Sequence, residues 1–135
     1  MSSTPTISDK IIYWTATGLM LFLMLAAIVG YPLRWDTIGA EFQEMGFPSY
    51  IPYPLWALKV IGVVVIVTNK YDNLKNWVYA TYFMNMLLAL SAHWSNDTFF
   101  GHAVAGMVAI VVSYIYSNRV RGRPAEDIFI LPARG

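Results

Sequence analysis

Lys59, His93 and His102 are the side chains whose types and settings could do chemistry in this chain. Lys59 stands within the apolar run Ala57-Leu58-Lys59-Val60-Ile61, and a lysine inserted into hydrocarbon costs about 2.5 to 3.5 kcal/mol. Three readings stay open for it: a cation that snorkels to the interface, an ion pair with Glu41, Glu44 or Asp97, or a ligand or proton site. His93 and His102 flank the polar stretch Trp94-Ser95-Asn96-Asp97-Thr98. They read as satisfied interfacial histidines, as hydrogen-bonding groups for a quinone or another polar head, as a proton relay, or as metal or haem ligands. No ligand spacing supports the last reading, so no metal site is expected.

Other chemistries are excluded by what the chain lacks. It has no cysteine, which removes disulfides, thiol relays, Cys-ligated iron-sulfur clusters and CxxC redox mechanisms. No Ser-His-Asp arrangement, phosphate-binding loop or HExxH pattern occurs. Nine Lys and Arg balance eight Asp and Glu, a net charge of +1, which offers no basic field for nucleic acid. No catalytic residue can be named, and nothing points to an enzyme acting on its own.

The elements that must position these groups are helices in a bilayer. With 57% hydrophobic and only 13% charged residues, the chain carries about half the charge of an ordinary soluble domain. Residues 11–31 form a charge-free run that reaches about 31 Å as a helix, enough to cross a hydrocarbon core. Its length, and the single cation Lys10 beside Asp9, argue for a retained first span over a signal peptide. Further spans are expected at about 52–68, where Pro52 and Pro54 fit a first helical turn, at 74–93 and at 99–117. Lys70 and Lys75, and then Arg119, Arg121 and Arg123, mark cytoplasmic segments, giving an all-α four-helix bundle with both ends inside. Tyr13, Trp14, Tyr71, Trp77 and Tyr116 fall at the inner boundaries; Tyr31, Trp35, Tyr50, Tyr53, Trp56 and Trp94 fall at the outer ones. The whole chain reads as one domain, 1–135, in which 118–135 is an irregular cytoplasmic extension.

The first external connection should not be a plain loop. Asp36 can cap a short helix, Gly46 can supply its left-handed end, and Pro48 blocks continuation. Ile38, Phe42 and Met45 share one face of that amphipathic interfacial helix, with Glu41 and Glu44 projecting together elsewhere. Helix packing is expected along Gly101, Ala105, Ala109 and Ser113, a small-residue ladder with Gly106 beside it. Asn85, near the middle of the third span, reads first as an interhelical hydrogen-bonding group and second as a ligand contact.

Several short motifs carry a resemblance to a known family. Tyr13-Trp14 opens the first span, Glu44-Met45-Gly46-Phe47-Pro48 precedes the second, Ala57 to Gly62 lies within it, and Ser91-Ala92-His93 closes the third. Over about residues 11–117 the chain resembles the DoxX-like membrane proteins of bacteria. The resemblance implies a four-helix membrane bundle in the inner membrane, but little biochemistry. Some relatives are associated with quinone-linked sulfur oxidation or membrane oxidoreductase assemblies, and a distantly similar animal group assists receptor assembly. Matched by position, Lys59 is the lysine of the family's second helix, His93 the histidine of its third, and Gly46 and Pro48 belong to its first external connection.

Two functional expectations follow. The first is a membrane subunit or small-ligand-binding bundle, with an outer-leaflet polar pocket formed by Lys59, Glu41, Glu44, His93, Asp97 and His102. The second is a quinone-reactive subunit of an oxidoreductase complex, with His93 or His102 on a quinone carbonyl and Lys59 stabilising the reduced anion. Lipid, a membrane protein partner or a second copy of the chain are the expected partners; quinone is the one cofactor considered.

Overall fold

The computed structural model describes residues 4–122, and every regular element among them is helical. In chain order these are α1 (Ile7–Leu33), α2 (Ile38–Glu44), α3 (Pro52–Thr68), α4 (Asp72–Ser95) and α5 (Gly101–Arg121). Two of the described helices, α1 and α5, are long and apolar enough to cross a membrane; α3 is apolar but has 17 residues. α4 has 24 residues but carries Asp72, Lys75, Asn76 and Asn85, which lower its apolar character.

Local chemistry explains the ends. α1 begins in a reciprocal cap: Thr6 Oγ1 accepts from the Asp9 amide at 3.1 Å, and Asp9 Oδ2 accepts from the Thr6 amide at 3.0 Å. α3 opens on Pro52, whose missing N–H costs nothing in a first turn. It ends at Asn69, whose φ of 49° is the left-handed conformation asparagine tolerates. α2 closes through Gly46 at φ 89°: the Gly46 amide bonds Gln43 O at 3.0 Å, the Phe47 amide bonds Phe42 O at 2.9 Å, and the two phenylalanine rings pack 6.1 Å apart. That double return of amides with an apolar clasp is a Schellman ending. The residue before α2 is Thr37 rather than Asp36, because the Arg34-Trp35-Asp36 turn already carries the chain into helix, with the Ile38 amide on Arg34 O at 2.8 Å.

The four longer helices pack in the cyclic order α1, α5, α4, α3, and α2 rests against α3. Each buries one stripe: Tyr13, Thr17, Met20 and Met24 on α1; Lys59, Gly62 and Ile66 on α3; Lys75, Tyr79, Tyr82 and Met86 on α4. Steps of three and four residues keep these side chains on one face. On α5 the buried line runs Ala103, Gly106, Ala109, Ile110, Ser113 and Ser117, while Ala105 is exposed. A strict step of four advances about 40° too far at each repeat, so the ladder from Gly101 through Ala105 drifts off the contact face, and Gly106 takes the close approach. A Cβ at Gly106 would stand 3.0 Å from Met86 Sδ on α4 and 3.2 Å from Leu23 Cδ1 on α1.

α5 extends through Arg121, so Asn118 to Arg121 are helical rather than irregular, and Gly122 at φ 75° ends the helix. The rest of the expected extension, Arg123 included, lies outside the described residues.

Candidate functional site

Lys59 is 6% exposed, and its Nζ donates to Asn85 Oδ1 on α4 at 2.9 Å. The ammonium also stands 5.5 Å from the centre of the Tyr31 ring of α1, a favourable face for a cation. No described carboxylate pairs with it. Glu41 is instead held by Arg34, Nη1 to Oε2 2.7 Å, and by the Thr37 hydroxyl, while Glu44 and Asp97 are exposed. Trp56, one turn before Lys59, donates its indole N–H to Ile28 O at 2.9 Å and fixes that end of α3 on α1.

Beside the Lys59–Asn85 bond lies a cleft of about 160 Å³ between α3 and α4, floored by Met24 of α1. Leu58, Ile61, Trp77 and Thr81 line its outer edge and are exposed, so it opens sideways, toward the faces of α3 and α4 that turn away from the core. Tyr82 lines it from within; its ring is 5% exposed, and its hydroxyl is buried without a hydrogen-bond partner among the described residues. A lysine retains three donors, of which Asn85 uses one. Lys59, Thr81, Tyr82 and Asn85 are the polar residues of an otherwise apolar lining, and Lys59 keeps spare donors, which suits an acceptor oxygen entering from outside.

The histidines form a separate group. Their rings meet edge to face with centres 4.8 Å apart, and His93 Nδ1 is 2.7 Å from the Thr98 hydroxyl. His93 follows Asn85 by eight residues, about 12 Å along the helix axis, so the His93–His102 pair belongs to the end of α4 and α5 and not to the Lys59 cleft. Asp97 sits in the same turn at φ 51°. Of the six residues expected in one outer pocket, the structure brings His93 and His102 into ring contact, while among the described residues the Lys59 hydrogen bond and the Glu41 ion pair go to other partners, Asn85 and Arg34. Among the described residues no group of three or more His, Cys, Asp or Glu could hold a metal ion.

Tyr31 was read from the sequence only as an outer-boundary aromatic, and neither Tyr31 over Lys59 nor Tyr82 in the cleft was expected as part of a site. The signal available was spacing: Tyr82 precedes Asn85 by three residues and so shares its helix face. A second buried polar group was equally unforeseen. Thr17 Oγ1 and Ser113 Oγ lie 2.6 Å apart, and the Tyr79 hydroxyl lies 2.8 Å from Ser113 Oγ, tying α1, α5 and α4 through three hydroxyls. At the far end from the histidines, Lys75 is 2% exposed and donates to Asn69 Oδ1 at 2.9 Å and Asn118 Oδ1 at 3.0 Å. Arg121 donates to Ile66 O and Val67 O, each at 2.8 Å, and stacks on Trp14 with its guanidinium 5.6 Å from the ring centre. Lys75 and Arg121, read first as charges that orient the chain, thus also close the last turn of α3.

A wider groove of about 670 Å³ between α4 and α5 has no Lys, Arg, His, Asp or Glu in its lining, which makes the smaller α3–α4 cleft the better candidate site.

The profile of the DoxX-like family matches residues 14–116, most of the chain. The chain belongs to the DoxX-like family. No curated protein and no solved structure matches it. Membership in the DoxX-like family and the two long apolar helices together support a membrane protein.

Proposed function

We propose that this DoxX-like chain is a multi-pass protein of the bacterial inner membrane, a four-helix bundle with both ends in the cytoplasm, and that it holds the head of a small lipophilic ligand in the α3–α4 cleft. On this reading it is a membrane subunit or binding bundle rather than an enzyme acting alone. Support for four spans comes from the outward faces. Phe22 and Val29 on α1, Leu58, Val64 and Val67 on α3, Leu87 and Leu88 on α4, and Val108 and Ile115 on α5 are all exposed. Contiguous apolar surface on all four long helices is an interaction surface for lipid and a liability in water.

The observation that carries the ligand reading is a lysine with spare donors lining the same cleft as Tyr82, whose hydroxyl is buried without a partner among the described residues. A buried hydroxyl without a partner costs about 1 to 3 kcal/mol, which an acceptor on a ligand would recover. The cleft volume of about 160 Å³ is close to that of a cavity that accepts benzene, about 150 Å³, so it fits one ring or a chain terminus, with the remainder of the molecule in lipid. A quinone is the second reading, favoured by the same ring-sized space with the Lys59 donor in its lining; the histidines would then have no part in it.

Native mass spectrometry of gently extracted protein, with organic extraction of whatever co-purifies, tests the proposal. A lipophilic molecule retained by the unaltered protein and lost in Lys59→Met is the expected result. Protein that is empty, or whose bound molecules are indifferent to Lys59→Met and Tyr82→Phe, would overturn it. Bound quinone together with quinone-dependent redox activity in a co-purifying complex would establish the second reading.

A further inference from the structure

We propose that the ligand of the α3–α4 cleft is an anion, a slender lipophilic carboxylate that enters from the side of the bundle and supplies the counter-charge missing around Lys59. The inference rests on the cleft being a ligand site and names the class of molecule it takes.

Charge is the first argument. Lys59 is 94% buried, with a neutral amide and an aromatic face around it, but no described carboxylate within ion-pair distance. A buried ammonium is stabilised chiefly by a paired opposite charge, and truncating one member of such a pair is strongly destabilising. By contrast, Arg34, Lys75 and Arg119 each have a carboxylate of the chain nearby, namely Glu41, Asp72 and Asp9. A neutral carbonyl would fill the spare hydrogen bonds and leave the charge uncompensated; a carboxylate does both.

Donor count and shape agree. A carboxylate has two oxygens with about four acceptor sites, enough for Lys59 Nζ and the Tyr82 hydroxyl together. The donors line a cleft whose outer edge is Leu58, Ile61, Trp77 and Thr81, so a hydrocarbon tail leaving it would lie along exposed apolar faces of α3 and α4.

Depth separates a fatty carboxylate from a phospholipid phosphate. Lys59 is seven residues past Pro52, about 10 Å along α3 from its first turn. With the start of α3 at the outer interface, as the proposed topology has it, that is below the layer in which phospholipid head groups sit. An oxyanion reaching that depth belongs to a molecule with its charge at one end and no other polar bulk.

The test is a titration by native mass spectrometry of the full chain in detergent with oleate and, separately, with its uncharged methyl ester. The unaltered protein should take one oleate, with the ester bound at least about tenfold more weakly, as a lost charged hydrogen bond implies. Lys59→Met should abolish that preference. Tyr82→Phe, a milder change that keeps the packing, should weaken oleate roughly threefold to tenfold. Equal binding of oleate and ester, with both weakened by the two substitutions, would overturn the anion while leaving the cleft as a ligand site. Binding that neither substitution alters would overturn both. Displacement of oleate by an equal concentration of phosphatidylglycerol would overturn the restriction to slender single-headed molecules.

Discussion

Lys59 on α3 and Asn85 on α4 meet side chain to side chain at 2.9 Å, and this bond ties the buried cation to the one long helix with an interior amide at that depth. The two residues are 26 apart in sequence. Each alone is a polar residue in an apolar segment; together they make the wall of the cleft that Tyr82 completes.

Their coupling is measurable. Asn85→Leu should destabilise the protein by about 1.5 to 3 kcal/mol, because it strands a buried donor that carries charge. Lys59→Met with Asn85→Leu should recover a good part of that loss, since two apolar side chains of similar volume replace the pair. A double-mutant cycle on unfolding in mixed micelles checks this; additive losses would show that the bond contributes nothing to the fold.

Ser113 accepts or donates two hydrogen bonds in a fully buried position. Ser113→Ala should cost about 1 to 3 kcal/mol, because Thr17 and Tyr79 are left facing apolar surroundings. Thr17→Val breaks only the 2.6 Å bond and should cost less. The ratio of the two losses, read from unfolding midpoints, distinguishes a three-membered network from two independent contacts.

Close packing on α5 predicts a contrast between neighbours. Gly106→Leu should destabilise by about 1 to 3 kcal/mol or prevent folding, because its Cβ alone already stands 3.0 Å from Met86 Sδ. Ala105→Leu, on the exposed side, should stay within about 0.5 kcal/mol. Thermal stability of the two variants measured side by side decides whether Gly106 or the step-of-four ladder forms the seam.

Arg121 reaches two carbonyls at the end of α3 with one planar fork. Arg121→Ala should raise amide exchange over 66–70 and lower stability by about 1 to 3 kcal/mol. Arg121→Lys should restore little of it, since an ammonium cannot make both bonds in that geometry. Full recovery by lysine would mean that charge near the helix end, and not the fork, is what matters.

Orientation is testable because the chain has no cysteine of its own. With both ends inside, a cysteine at Ser95 should react with an impermeant maleimide on intact cells, and one at Asn73 only after permeabilisation. The reverse pattern would invert the proposed topology.

Much of the fold was legible in the residues. Apolar stretches of about twenty residues can satisfy their backbone in lipid only as helices, so the helical character followed from length and composition. The short helix α2 was legible from Gly46 and Pro48, because a left-handed glycine followed by proline is a local stop signal. The DoxX-like family was legible from Lys59, His93 and the Gly46–Pro48 connection, whose matches depend on order along the chain alone.

The candidate site was less legible, for a physical reason. Sequence spacing assigns each side chain a depth along its own helix, about 1.5 Å per residue, but not the rotation of that helix about its axis. Lys59, Glu41, His93 and His102 could therefore be set near one end of the chain's helices, while their partners could not be chosen. Rotation is decided by packing: the steps of Tyr79, Tyr82 and Met86 on α4 and of Gly106, Ser113 and Ser117 on α5 turn those faces inward. That rotation gives Asn85 to Lys59 and Ser113 to Thr17 and Tyr79, and it sets the two histidines against each other at the far turn. The helices and their family were determined by the sequence by itself; which polar groups share a site was decided only when the four long helices packed, because only close packing selects one rotation for each.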